Sequence, residues 1–158
     1  MKTLFINKYD TLGGAAKAAF RLNLGLRKYL NYDNYFLVGI KASNLEYVYK
    51  TRESGFENWV ERGINFATNL IGFQYKWFPF STRKIISVVR ELKPDIISLH
   101  NIHGGYFKTS LIKELSKYAP IVWTLHDMWA FTANAAYTLG DDSWKSLKAG
   151  PKEKKYFP

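Results

Sequence analysis

Apolar runs alternate with helical patterns along this chain, and the runs stop abruptly at polar or glycine-rich turns. Pro120-Ile121-Val122-Trp123-Thr124-Leu125 is apolar almost without alternation, as a parallel strand buried on both faces would be, and it stops at His126-Asp127. It reads as the central strand. Asp95-Ile96-Ile97-Ser98-Leu99 has the same form and ends at His100-Asn101. Thr3–Asn7 is a short strand around Leu4-Phe5-Ile6, followed by the loop Lys8–Leu12 and then Gly13-Gly14. Tyr35–Ile40 is a further strand, ended by Lys41-Ala42-Ser43-Asn44.

Helical periodicity fills the gaps. Gly14–Asn31 predicts a helix with Ala15, Ala18, Ala19, Leu22, Leu26 and Leu30 at helical spacing. Ser81–Leu92 predicts another, with Ser81 as N-cap and Pro94 as its stop. Tyr106–Tyr118 predicts the last. Leu45–Ser54 is polar and predicts no element. The order β-α-β-α-α-β-α-β implies right-handed crossovers and an α/β fold: a Rossmann-like parallel sheet flanked by helices. In such sheets ligands bind at the carboxyl edge of the strands.

Phe56–Phe80 stands apart. Phe56, Trp59, Val60, Ile64, Phe66, Leu70, Phe73, Tyr75, Trp77 and Phe78 crowd it, and Lys76, Arg83 and Lys84 lie beside them. Its first part predicts an amphipathic helix packed on the sheet. The stretch Phe56-Lys84 also suits peripheral contact with a membrane, rings at head-group level and cations on phosphates. Base stacking is a third reading, and it predicts affinity that falls steeply with salt.

Composition narrows the classes. The chain has 158 residues, 47% hydrophobic and 23% charged, which excludes a disordered polyelectrolyte and is enough for one core. There is no cysteine, hence no disulfide scaffold and no thiolate metal site. No signal peptide is visible and no apolar run nears the ~20 residues that span a bilayer, so a cytoplasmic location is expected. A net charge of +10 favours anionic partners, or a solvated basic surface that selects none. Residues 1–140 form the expected domain. Residues 141–158 are a polar, basic tail, read as leading towards a second domain of a longer chain.

Three turns carry candidate chemistry. Gly13 and Gly14 precede a helix N-terminus, where free N–H groups suit an anion, or they make only a tight turn. No G-x-G-x-x-G is present. His100, Asn101 and His103, with Gly104-Gly105, form a loop of donors and acceptors for a hydroxyl-rich ligand, unless one histidine merely caps the next helix. His126 suits proton handling or polar positioning near neutral pH, with Asp127 to orient it, unless the imidazole is structural. His100, His103, His126 and Asp127 are also zinc-ligand types, but the spacing lacks the rigidity of a helical metal motif, and no metal is expected. Glu53 and Glu61 spell E-x7-E, which chance readily produces in a charged chain.

Gly13-Gly14-Ala15-Ala16, Leu99-His100-Asn101-Ile102-His103-Gly104-Gly105-Tyr106-Phe107 and Trp123-Thr124-Leu125-His126-Asp127-Met128-Trp129-Ala130-Phe131-Thr132 together resemble the amino-terminal half of retaining glycosyltransferases of family four, of GT-B fold. The nearest look is to bacterial enzymes of exopolysaccharide and colanic-acid-type assembly, over nearly the whole chain. The resemblance implies an acceptor-side domain working with a separate donor-binding domain, which would carry the family's own E-x7-E. It implies transfer with retention from a nucleotide sugar to a glycan or lipid-linked acceptor at the inner face of the membrane, with no cofactor and no metal. By position His126 matches the family's active-site histidine. Gly13 and Gly14 match the glycine loop, and His100, Asn101 and His103 an acceptor-side loop. Nucleic acid is not an implied partner. The family's Gly-His-Cys-type continuation is replaced here by Ala133-Asn134-Ala135-Ala136-Tyr137, so no contact built there is implied.

Overall fold

The computed structural model describes residues 1–71, 73, 75–132, 135–140 and 142–146. Its elements are β1 (Lys2–Tyr9), α1 (Gly14–Leu30), β2 (Asp33–Ile40), β3 (Val48–Lys50), α2 (Gly55–Leu70), α3 (Pro79–Leu92), β4 (Ile96–Leu99), α4 (Leu111–Leu115) and β5 (Ile121–Trp123). The five strands form one parallel sheet in the order β3-β2-β1-β4-β5, flanked by helices. This is the expected α/β, Rossmann-like architecture. The tail 141–158 lies outside the described residues except for 142–146, where Ser143–Ser146 makes one 3-10 turn.

β1 shows why the sheet is apolar on both sides. Successive side chains on a strand point to opposite faces. Leu4 and Ile6 join the core under α3 and α4 with Ile85, Val88, Val89, Ile97 and Leu99. Phe5 joins the opposite core with Phe36, Val38, Val48 and Ala19 of α1. Helices cover both faces, so no position on β1 from Thr3 to Asn7 is left to water. Gly39 of β2 is required by packing, because a Cβ there would meet the Tyr106 ring at 2.8 Å.

Several expectations are corrected. The sheet has five strands and not four, because β3 forms inside the polar stretch 45–54, where Val48 is buried against Phe36. The central strand is β1. The Pro120–Leu125 run gives only the short edge strand β5, with Val122 54% and Leu125 49% exposed. α1 buries Ala16, Ala19 and Asn23, while Ala18, Leu22 and Leu30 of the expected stripe face water. α4 is one short turn of helix, and Tyr106 and Phe107 are instead buried loop residues. Phe78, not Ser81, is the N-cap of α3.

The largest correction is α2. Packing of its aromatic face on the sheet was one of three readings of this stretch, and it is the one overturned. The face points outward instead: Phe56 is 69% exposed, Trp59 75% and Phe66 67%. The buried side of the helix holds Glu61, at 0%, and Thr68. Ser54 and Glu57 start the helix with a reciprocal capping box.

Glu61 is buried because cationic and polar partners meet it there. Arg52 Nη1 lies 3.5 Å from Glu61 Oε2 and donates to the Gly105 carbonyl; Nη2 donates to the Gly39 carbonyl. The Ser81 N–H donates to Glu61 Oε1 at 2.8 Å, and the Ser81 hydroxyl to Oε2 at 2.6 Å. Ser81 is therefore an anchor in the first turn of α3, held by a carboxylate where the helix dipole favours one. The formal Glu53/Glu61 pair splits, since Glu53 sits at the surface with Lys84.

Glu61→Ala would leave Arg52 buried and uncompensated, a loss of about 3–5 kcal/mol. Trp59→Ala, on the opposite side of the same helix, should change stability by less than about 0.5 kcal/mol. Urea unfolding of both variants checks this, and equal losses would contradict the inverted helix.

Candidate functional site

β2 lies on one side of β1 and β4 on the other, so the strand order reverses between β1 and β4. The loops leaving those two strands diverge and open a crevice at their carboxyl ends. Asn7, the last buried residue of β1, bridges it: its Oδ1 accepts the Asn101 N–H at 3.0 Å, and its Nδ2 donates to the Tyr9 carbonyl at 2.7 Å. The His100 N–H donates to the Ile6 carbonyl, extending the ladder one residue past β4. Trp123 of β5 donates its indole N–H to the His100 carbonyl at 3.1 Å. Three strand ends thus fix one histidine.

His100 is almost fully buried, stacked on Phe5 with ring centroids 5.6 Å apart. Its Nε2 lies 3.2 Å from the Ser98 hydroxyl, and its Nδ1 lies 2.9 Å from His126 Nε2. Burial pushes its pKa down from 6.5 to about 4, and His126 beside it adds to the effect. His100 is therefore neutral at pH 7 and carries one N–H. Either Ser98 donates to His100 and His100 donates to His126, or both bonds run the other way. For a neutral His126 ring, Nδ1 carries the proton in the first arrangement and is an acceptor in the second. The chain Ser98–His100–His126 lets the half-buried outer imidazole change role without gaining a net charge.

A second pair sits alongside. His103 Nε2 lies 2.8 Å from Asp127 Oδ2, and Asp127 Oδ1 accepts the Trp129 N–H at 3.0 Å. Trp129 covers the His103 ring at 5.2 Å, and Tyr75 meets Trp129 edge-on at 5.2 Å. The two pairs, with Trp123 and Trp129, line a void of only about 10 Å³, room for about one water. A ligand the size of a sugar ring therefore meets the outer faces of His126, His103 and Asp127 and does not enter between them. Gly104 and Gly105 both have positive φ, and a Cβ on Gly104 would strike the Lys8 side chain at 2.7 Å. The end of β1 thus lays a cation across the histidine loop.

The candidate residues divide accordingly. His100, His103, His126 and Asp127 come together, with Asn101 tied in through its backbone and its Oδ1 buried without a partner among the described residues. Gly13 and Gly14 sit at the α1 N-terminus on the same sheet edge, exposed and with open space around them, and no contact joins them to the histidines among the described residues. Gly13, at φ 87°, has the conformation that favours glycine. Among the described residues no group of three or more His, Cys, Asp or Glu is arranged to hold a metal ion. The four zinc-type residues are instead spent in two pairs. Asn7, Lys8, Ser98, Tyr75 and Trp123 were missed. A polar residue closing β1 and a lone hydroxyl inside β4 were the available signals.

No family model, curated protein or solved structure matches the chain. The site is therefore interpreted from its own geometry. Asp10 shows how firmly that geometry is held: it accepts N–H groups from Thr11, Ala42 and Ser43, which clamps the turn after β2 to the loop after β1. Burial alone would raise its pKa, but hydrogen bonds from Ser43 and Ala42 more than offset this and hold it below the usual carboxylate value.

The His100 shift carries a sign. The folded pKa lies below that of the unfolded chain, so the unfolded chain binds the proton first. Stability should be full above pH 6.5 and fall as pH drops towards 4. His100→Asn should flatten this slope in urea midpoints taken at pH 7 and pH 5. An unchanged slope would mean that another group carries it.

Proposed function

We propose that this chain is the acceptor-side domain of a sugar-transferring enzyme, the amino-terminal half of a GT-B fold of the retaining family-four type. It would work with a donor-binding domain, moving a sugar from a nucleotide sugar to a polysaccharide or lipid-linked acceptor, and would be inactive alone. The observation that carries this is His126, presented at the strand-switch edge with a neutral imidazole hydrogen-bonded behind it. A sugar hydroxyl both donates and accepts, and an imidazole that can present either face of that bond suits it.

His126 is assigned contact with the reacting sugar. The His103–Asp127 pair lies beside it to take acceptor hydroxyls. Gly13 and Gly14, at an open helix N-terminus, are assigned the donor phosphates. No cofactor or resident metal enters this reading. Cytoplasmic placement at the inner face of a membrane belongs to it as well; among the described residues no helix is long and apolar enough to cross a bilayer. A second reading is a non-catalytic Rossmann-like module that binds an anionic ligand or a membrane surface. The outward aromatic face of α2 and the net charge of +10 favour it.

Mixed with nucleotide sugars and a lipid-linked glycan, the 158-residue chain should give no product, because transfer needs donor and acceptor positioned together. Titrated with oligosaccharides alone, it should shift the imidazole resonances of His103 and His126. In a protein that joins this chain to a donor-binding domain, His126→Ala should lower the rate by about 100-fold or more. Its melting temperature should stay within a few degrees, as expected for a side chain at a crevice. A large loss of stability with normal activity per folded molecule would make His126 structural and remove the assignment.

A further inference from the structure

The exposed face of α2 is one stripe. At 100° per residue, Phe56, Trp59, Phe66 and Leu70 fall within an arc of about 80°. Leu70 is 65% exposed, and beyond the helix Ile71, Phe73 and Trp77 are also more than half exposed. The opposite side of the helix is fixed by Glu61, so the stripe cannot turn inward without exposing or breaking the Arg52 pair. Trp77 also lines a groove of about 860 Å³, bordered by residues 76–79, one side of α3 and Ile64 of α2. Ile64, Trp77, Phe78 and Ile86 give it an apolar floor, and Lys76, Arg83, Arg90 and Lys108 line it with cations. Lys76, Arg83 and Lys108 have no carboxylate partner among the described residues, and Arg90 donates to the Tyr118 hydroxyl.

We propose that this face docks on an anionic phospholipid bilayer, with the stripe at the acyl boundary and the groove taking one phosphate head group and the start of its chain. Charge decides the occupant. A second copy would bring the same cations of a +10 chain together, so self-pairing is opposed. A lipid phosphate complements them, and the apolar floor takes methylenes that a free phosphate lacks. Tryptophan and phenylalanine beside lysine and arginine form the pattern of a helix lying in the head-group plane. The inference rests on and deepens the membrane-surface reading proposed above. It does not depend on sugar transfer, since none of the histidines takes part, so failed flotation would leave the oligosaccharide titration of His103 and His126 untouched.

The test is flotation of the 158-residue chain with vesicles of phosphatidylcholine alone, or with about 30% phosphatidylglycerol, at low and at physiological salt. Binding to the anionic vesicles should be at least about 10-fold tighter and should weaken with salt, as attraction near a charged surface gives about fivefold per cation. Trp59→Ala with Phe66→Ala should reduce binding about 10-fold on unchanged melting, since both side chains face water. Arg83→Glu should reduce the preference for anionic vesicles, and millimolar inorganic phosphate should not displace the chain. Equal partition onto both vesicles would overturn the proposal. So would displacement by phosphate, or a concentration-dependent dimer that Trp59→Ala abolishes.

Discussion

The buried ion pair of Arg52 and Glu61 is the constraint from which the upper half of this structure follows. A carboxylate at 0% exposure is tolerated only when its charge and lone pairs are met, and here one guanidinium, one backbone N–H and one hydroxyl meet them. The pair reaches four places at once. Arg52 holds the carbonyls of Gly39 in β2 and Gly105 in the histidine loop, while Glu61 belongs to α2 and grips the first turn of α3. A polar knot of this kind sets the rotation of α2, and that rotation leaves the aromatic stripe in water.

The same knot supports the site indirectly. Gly105 closes the loop that begins at His100, so the guanidinium fixes the far end of the segment whose near end is fixed by Ile6 and Asn7. Within it, His100 has been made neutral by burial, which costs the protein stability in acid. A histidine kept neutral and hydrogen-bonded on both nitrogens is ill suited to be the group that meets a ligand. It is well suited to set the tautomer of the ring beside it, and His126 holds that outer place.

Much of this was legible in the sequence, and the failures share a physical origin. The parallel sheet and its chemistry-bearing edge followed from apolar runs that stop at His100 and His126. Burial on both faces leaves that trace without any partner being known. What periodicity could not give was the sign of a face. Phe56, Trp59 and Phe66 have helical spacing whether they pack inward or outward, and only Glu61's partners, Arg52 and Ser81, decide. Those partners are distant in sequence, and Glu61 looked like half of a chance motif. β5 failed for a related reason: an edge strand and a central strand share an apolar run, and Val122 reveals its exposure only once the strand order is known. Asn7 and Ser98 were unread because one polar residue in an apolar run looks like noise until its partner is placed.

The aromatic face and the histidine site are also connected through a few residues of chain. Tyr75 sits edge-on to Trp129, which covers His103, while Lys76 and Trp77, the next two residues, line the cationic groove. Tyr75 takes a φ of 57°, uncommon for a bulky residue and kept only where surrounding contacts impose it. Lys108, from the segment after the glycine loop, reaches the same groove. Residues 75–77 therefore have a part in both places: Tyr75 beside the ring that covers His103, and Lys76 and Trp77 in the groove. The left-handed turn at Tyr75 is what lets one short segment serve both, turning its ring to Trp129 while the next two side chains line the groove.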